Sequence, residues 1–240
     1  TFALARMIDY HKKNKTWDIK VDQFIALTSF AKSKFLQAGF LENRISIKSN
    51  FVDDNGYSFT KEDYYVFVGR LSEEKGIPLL LDCFSNLNSK LIIIGTGPLK
   101  KQVLDAEKRC PNIQYLGFRD KSYVIDKLKS AKALIMSSIW YEGMPMTMLE
   151  SFSVGTTVIG PKIGGINEMI EDSINGLIYE TGNLQDFIKS INTFDEDLDL
   201  QRRLSQGARN TFEQKYTAEK NYKILMNIYN IAINGKNKDI

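Results

Sequence analysis

From Tyr64 to Tyr179 the sequence alternates short, apolar, β-branched runs with longer helical patterns, and that alternation constrains the fold more than any other feature. Tyr64–Val68 (YYVFV), Leu91–Ile94 (LIII), Ile113–Leu116, Ala133–Met136, Thr157–Ile159 and Leu177–Tyr179 read as six buried strands. Helical patterns fall between them, near Ile77–Leu87, Leu99–Arg109, Tyr123–Ser130 and Met146–Val154. Strands that are apolar throughout and separated by helices belong to a parallel sheet covered on both faces. The expected fold class is therefore α/β, with a parallel sheet flanked by helices.

The two ends read differently. From Leu184 onward the pattern is helical, with long helices expected over Asp195–Tyr216 and Ala218–Asn234. Tyr222, Leu225, Tyr229 and Ala232 form an apolar stripe at helical spacing, which we expect to pack into the core. In the first 60 residues, Phe24–Thr28 and Ile45–Lys48 read as strands. Ser29–Gln37 reads as a helix opened by a serine cap. Two strands and one helix cannot bury a core alone, so this segment is expected to be the end of a preceding domain. Ser49–Tyr57 (SNFVDDNGY) carries turn chemistry and places a boundary. The expected division is 1–56, 57–216 and a C-terminal helix over 217–240.

Composition narrows the partners. The 32 basic and 29 acidic residues give a formal charge of +3, too balanced to point to nucleic acid. The basic run His11–Lys12–Lys13–Asn14–Lys15 reads as a solvated face or as a contact with anionic lipid. Cys83 reads as a small core residue and Cys110 ends a helical pattern, so a reducing, cytoplasmic compartment is favoured over a disulfide framework. No apolar run is long enough to span a bilayer, and the first residues do not form a signal peptide. The chain starts without Met and reads as part of something longer.

Chemistry concentrates at the strand ends, where open α/β sheets bind ligands. After the first strand comes Gly69–Arg70–Leu71–Ser72–Glu73–Glu74–Lys75–Gly76. Arg70 can bind phosphate as a planar fork and Lys75 as a point charge, and both are expected to converge on one diphosphate. Gly95–Thr96–Gly97–Pro98 follows the second strand, either as an anion-binding turn or as a tight turn with Pro98 opening the helix. Leu116–Gly117–Phe118–Arg119 ends the third strand, where backbone groups can read a base edge. The fullest constellation is Ser137–Ser138–Ile139–Trp140–Tyr141–Glu142–Gly143–Met144–Pro145–Met146–Thr147–Met148–Leu149–Glu150. With Pro145 at the first helical position, the amides of Gly143 to Thr147 lack intrahelical partners and lie at the positive end of the helix dipole. Glu142 and Glu150 then suit the vicinal hydroxyls of a sugar and a ribose. Gly160–Pro161–Lys162–Ile163–Gly164–Gly165–Ile166–Asn167–Glu168 ends the next strand, with Asn167 or Glu168 placed to open a short helix.

Five segments in this order, VGRLSEEKG, IIGTGP, YLGF, YEGMPMTMLE and VIGPKIGGINEMIEDSINGLIY, resemble the donor-binding C-terminal domain of the family four retaining glycosyltransferases of the GT-B fold. The resemblance implies a Rossmann-like domain, preceded by the remnant of a second one in ALTSFAKSKFLQAGF and ISIKSNFVD. It implies that Arg70 and Lys75 bind the donor diphosphate, with Gly69, Gly95 and Gly97 beside them. Glu150 would bind the ribose and Glu142 the donor sugar. Gly143, Met144, Pro145, Met146 and Thr147 would hold sugar and phosphate, and Gly117, Phe118 and Arg119 would meet the base. Met144 and Met146 depart from the small polar residue or phenylalanine common in that loop, and His11 matches no family position.

The activity implied is transfer of a sugar from a nucleoside-diphosphate sugar, such as a UDP- or GDP-sugar, to a hydroxyl of a saccharide or lipid-linked acceptor. Anomeric configuration would be retained, and Glu142, Arg70 and Lys75 would be the catalytic residues. No cofactor and no metal are called for, because cationic side chains and a helix terminus replace a divalent ion. Membrane contact would be peripheral. The rival readings are a nucleotide-sugar-binding module without activity alone, and a sugar-nucleotide epimerase or phosphorylase on the same scaffold.

Overall fold

The computed structural model describes residues 2–236. Two helices, α1 (Phe2–Lys13) and α2 (Thr16–Lys20), precede a small unit of β1 (Phe24–Ala26), α3 (Ser29–Gln37) and β2 (Ile45–Ile47). The main unit follows as β3 (Tyr65–Val68), α4 (Ile77–Ser85), β4 (Leu91–Ile94), α5 (Lys100–Arg109), β5 (Ile113–Gly117) and α6 (Lys121–Ser130). It continues with β6 (Ala133–Ile135), α7 (Met146–Ser153), β7 (Thr157–Pro161), α8 (Gly164–Met169) and β8 (Gly176–Tyr179). Helices α9 (Leu184–Glu196), α10 (Leu198–Lys215) and α11 (Ala218–Lys236) complete the chain. The expected α/β class is observed, and all six strands lie where the apolar runs placed them.

The six strands form one parallel sheet in the order β5-β4-β3-β6-β7-β8, and β1 and β2 form a separate parallel pair. Successive residues of each central strand serve opposite faces, as the strand period of two requires. Tyr65 and Phe67 of β3 and Leu91 and Ile93 of β4 join one buried cluster with α4 and α9. Val66, Ile92 and Ile94 join the other with α6 and α7. Both faces being dry explains the absence of polar alternation in the sequence. The order runs outward from β3 in one direction and from β6 in the other. The connections after these two strands therefore diverge and leave a crevice beyond their carboxyl ends.

Several expectations shift. Thr28, not Ser29, caps α3, its Oγ1 accepting from the Ala31 amide at 3.1 Å. Pro145 is the N-cap of α7, and Pro98 lies in a turn before α5. Neither Asn167 nor Glu168 opens α8, which begins at Gly164. The helix expected over Asp195–Tyr216 is broken at Asp197, whose carboxylate accepts from Leu200 N–H at 2.8 Å and starts α10. The stripe expected to pack on α11 is exposed at Tyr222 and Tyr229. The buried face is instead Asn221 and Ile228, with Asn221 donating to the Ser49 carbonyl at 2.5 Å. Helices α1 and α2 were not expected; His11, Lys12 and Lys13 form the last turn of α1, where cations complement the helix dipole. Thr1 and the part of the expected C-terminal helix over 237–240 lie outside the described residues. Cys83 is buried in the core as expected, and both cysteines are free.

The segment that joins the small unit to the main one is pinned electrostatically. Arg209 of α10 is buried and holds Asp54 through two bonds of 2.8 and 2.6 Å, Glu213 at 2.6 Å and the Ser153 carbonyl at 2.6 Å. The hydrogen bonds from Arg209 hold the Asp54 carboxyl below its ordinary range. Further along, Lys61 is bonded to Thr156 Oγ1 at 2.7 Å and the Lys129 carbonyl at 2.9 Å. Burial, with the neighbouring Lys129 charge, lowers its pKa from 10.5 to about 7. A lysine depressed in the folded chain costs stability below about pH 7, and that cost fades as pH rises toward 10.5, because the unfolded chain then holds the extra proton. Relative to Lys61→Met, the unaltered chain should therefore gain about 1–2 kcal/mol between pH 7 and pH 9. Urea denaturation at the two pH values checks this.

Candidate functional site

The crevice at the sheet's reversal point is framed by the loops after β3 and β6. These loops are packed backbone on backbone. Gly76 has φ +66°, and a Cβ there would stand 1.8 Å from the Ser137 carbonyl oxygen. Ser137 Oγ donates to the Lys75 carbonyl at 2.7 Å, and Ile139 N–H donates to the Glu74 carbonyl at 3.1 Å. Only glycine permits this approach. The glycine at 76 is thus required by contact between two loops.

Between the loops lies a cleft of about 600 Å³ bordered by Glu74, Lys75, Trp140, Glu142 and Gly143. Glu142 is held at its mouth. One carboxylate oxygen accepts from Lys75 Nζ at 2.6 Å and the other from the Ser138 hydroxyl. Its side chain is 16% exposed, so the carboxylate is fixed yet reachable. Gly165 N–H, at the start of α8, holds the Glu142 carbonyl at 2.9 Å. Lys75, expected to bind a diphosphate, is thus paired with Glu142.

A second cleft of about 280 Å³ is bordered by Gly69, Arg70, Gly95, Phe118 and Arg119. Arg70 is exposed and has no ion-pair partner among the described residues. The two cations expected to converge therefore border different clefts. Phe118 is 74% exposed at the rim, and Arg119 lies over the Tyr123 ring at 5.2 Å. Gly95 and Gly97 let their turn lie directly on the Gly69–Leu71 backbone, with Leu71 N–H donating to the Thr96 carbonyl at 3.0 Å. Gly117, with φ +72°, ends β5 facing open space.

Helix α7 begins with exposed Met146 and half-buried Thr147, after exposed Gly143 and buried Met144 and Pro145. Met144 points inward, its sulfur accepting from the Asn50 amide at 3.2 Å. The first-turn amides of a helix have no intrahelical carbonyl to bond, and the dipole there favours an anion. Glu150, the fifth residue of α7, is 12% exposed with Lys121 Nζ at 4.0 Å. Burial raises its pKa, and Lys121 offsets this only partly. Ser138, Glu74, Trp140 and Lys121 join the site although the sequence reading did not assign them a role. Ser138 and Trp140 stood inside the motif; Lys121 is brought in only by the packing of α6 on α7. Among the described residues no group of three or more His, Cys, Asp or Glu side chains could hold a metal ion.

Comparison with known proteins places this geometry in context. The family model described as glycosyl transferases group 1 matches residues 52–211. The lipopolysaccharide 1,6-galactosyltransferase of Salmonella typhimurium is 28% identical over 203 residues, covering 76% of this chain and 55% of the relative. The corresponding Escherichia coli enzyme is 27% identical, covering 77% of this chain and 55% of the relative. The chain thus spans about half the length of the curated relatives it matches. Among solved structures, Anabaena HepE in complex with UDP superposes with a TM-score of 0.77 at 21% identity, covering 87% of this chain and 64% of that one. At that identity the likeness concerns the fold.

The electrostatics of Glu150 generate a measurable expectation. Its carboxyl should titrate above the ordinary 4.5 in the folded chain, and higher still in Lys121→Met, which removes the cation lowering it. NMR titration of the side-chain carboxyl carbon reads both values.

Proposed function

Because the chain belongs to the group 1 glycosyl transferases, we propose that it binds a nucleoside-diphosphate sugar and supplies the donor half of a retaining sugar transfer to an acceptor hydroxyl. The observation that carries this reading is the fixed Glu142 carboxylate at the mouth of one cleft, with the unpaired Arg70 bordering the other, at the reversal point of the sheet. An extended ligand with a polyhydroxyl end, an anionic middle and a flat end suits two such clefts. The sugar would lie by Glu142, Gly143 and Met146, and the diphosphate between Arg70, Lys75 and the α7 terminus. The base would lie near Gly117, Phe118 and Arg119. Glu150 would accept hydrogen bonds from the ribose hydroxyls.

In this reading negative charge grows on the leaving phosphate as the anomeric carbon becomes oxocarbenium-like. Preorganised positive groups aimed at that charge lower the barrier. The start of α7 is preorganised for it, Arg70 stands exposed to meet it, and Lys75 can turn from Glu142 to the phosphate while Glu142 meets a sugar hydroxyl. The nucleotide in the HepE complex supports a uridine donor, and the lipopolysaccharide relatives support a saccharide or lipid-linked acceptor in surface polysaccharide assembly. Such an acceptor implies work at the cytoplasmic face of a membrane through peripheral contact; no helix among the described residues is long and apolar enough to cross one. Residues 1–56 are proposed as part of an acceptor-side domain.

Calorimetric titration with UDP, GDP and ADP tests the donor site. UDP should bind most tightly, without measurable sugar transfer by these 240 residues. Arg70→Ala and Glu150→Ala should each weaken it about 10- to 100-fold, as expected for losing charge-assisted hydrogen bonds. Binding unchanged in both variants would refute the assignment.

A further inference from the structure

Helix α8 makes contacts that neither cleft explains. At its start, Gly165 N–H holds the Glu142 carbonyl, and a Cβ on Gly165 would stand 2.1 Å from the Gly143 carbonyl oxygen. The helix therefore lies directly on the backbone of the Glu142 loop. In its last turn Glu168 reaches across to the N-terminal unit. Its Oε1 accepts from Ser29 N–H and its Oε2 from Phe30 N–H, both at 2.7 Å. These are the first two amides of α3, which no carbonyl of their own helix can reach. The third, Ala31 N–H, is taken by Thr28 Oγ1. A carboxylate with both oxygens on two helix-start amides gains charge assistance and the helix dipole together.

The same face of α3 returns to the Glu142 loop by a second route. Phe30 packs its ring 5.0 Å from Tyr141, and Lys34 lies 5.3 and 5.5 Å from the two ring centres. Beside it, Asn50 N–H meets Met144. The loop over Tyr141–Met144 is thus held between α8 on one side and the N-terminal unit on the other. Glu168 joins those two holders.

We infer that Glu168 is a positioning residue: by tying the start of α3 to α8 it fixes the Tyr141–Met144 loop, and with it the Glu142 carboxylate and the sugar end of the donor site. The functional part rests on the donor-site reading given above; the mechanical part does not. The competing explanation is that Glu168 only caps α3, as Thr28 does from within the same unit.

Amide hydrogen exchange on this chain separates them. In Glu168→Ala, exchange at Ser29 and Phe30, and at Gly165 and Asn50, whose amides hold the Glu142 carbonyl and the Met144 sulfur, should accelerate about tenfold or more, while β3, β4 and β6 keep their protection. Glu168→Gln, which keeps one acceptor oxygen, should fall between. Thr28→Val, which removes the internal cap, should loosen Ala31 without loosening Gly165 and Asn50 to the same degree. Calorimetry adds the functional arm: Glu168→Ala should weaken UDP-glucose about fivefold or more while leaving UDP nearly unchanged. General destabilisation would weaken both. Unchanged exchange at Gly165 and Asn50 in Glu168→Ala, or equal loosening of them by Thr28→Val, would overturn the inference. If neither ligand binds even the unaltered chain, the donor-site reading fails, and the exchange arm still decides the mechanical claim.

Discussion

The site depends on two places where backbone lies against backbone. At Gly76 the loop after β3 meets the Ser137 carbonyl, and at Gly165 the start of α8 meets the Gly143 carbonyl. A single added carbon at either position would collide with a peptide group, which cannot rotate away as a side chain can. The first contact sets the separation of the two loops at the reversal point of the sheet, and the second backs the Glu142 loop against α8. Everything chemical follows from that separation, including the reach of Lys75 to Glu142 and the width of the larger cleft.

Charge is then arranged on this frame so that the acidic and basic groups restrain one another. Glu142 is neutralised locally by Lys75 and oriented by Ser138. Glu150, by contrast, is half-buried and has Lys121 at 4.0 Å, so burial disfavours its charge and Lys121 offsets this only partly. The two carboxylates thus sit in different electrostatic settings although they share one short motif. Arg70 is left exposed, free to meet an anion.

Much of this was legible in the sequence, for identifiable reasons. Strands buried on both faces must be apolar at every position, so β3, β4 and β6 stood out and were located correctly. The motif residues stood at strand ends because the fold puts ligands there. Other features rest on contacts that local pattern cannot carry. On α11 Leu225 and Ala232 of the expected stripe are half-buried, but the face is rotated away from Tyr222 and Tyr229 toward Ile228 and polar Asn221, whose side chain finds the Ser49 carbonyl 172 residues away. Helix α1 exposes Phe2, Leu4 and Met7, so the amphipathic signal used to find helices had no core to report. Glu168 looked like a helix opener, whereas its partners are two amides 139 and 138 residues distant. That Lys75 would pair with Glu142 was not legible either, because the two residues stand 67 positions apart and are brought together by the packing of two loops.

The central claim is that a single nucleotide sugar spans both clefts across the reversal point. A crystal structure of the chain soaked with UDP-glucose tests it most directly. The diphosphate should lie between Arg70 and the start of α7, with the ribose on Glu150, the uracil by Phe118 and the glucose against Glu142. A nucleotide bound clear of Arg70 and Glu150, or confined to one cleft with Lys75 and Glu142 undisturbed, would contradict it.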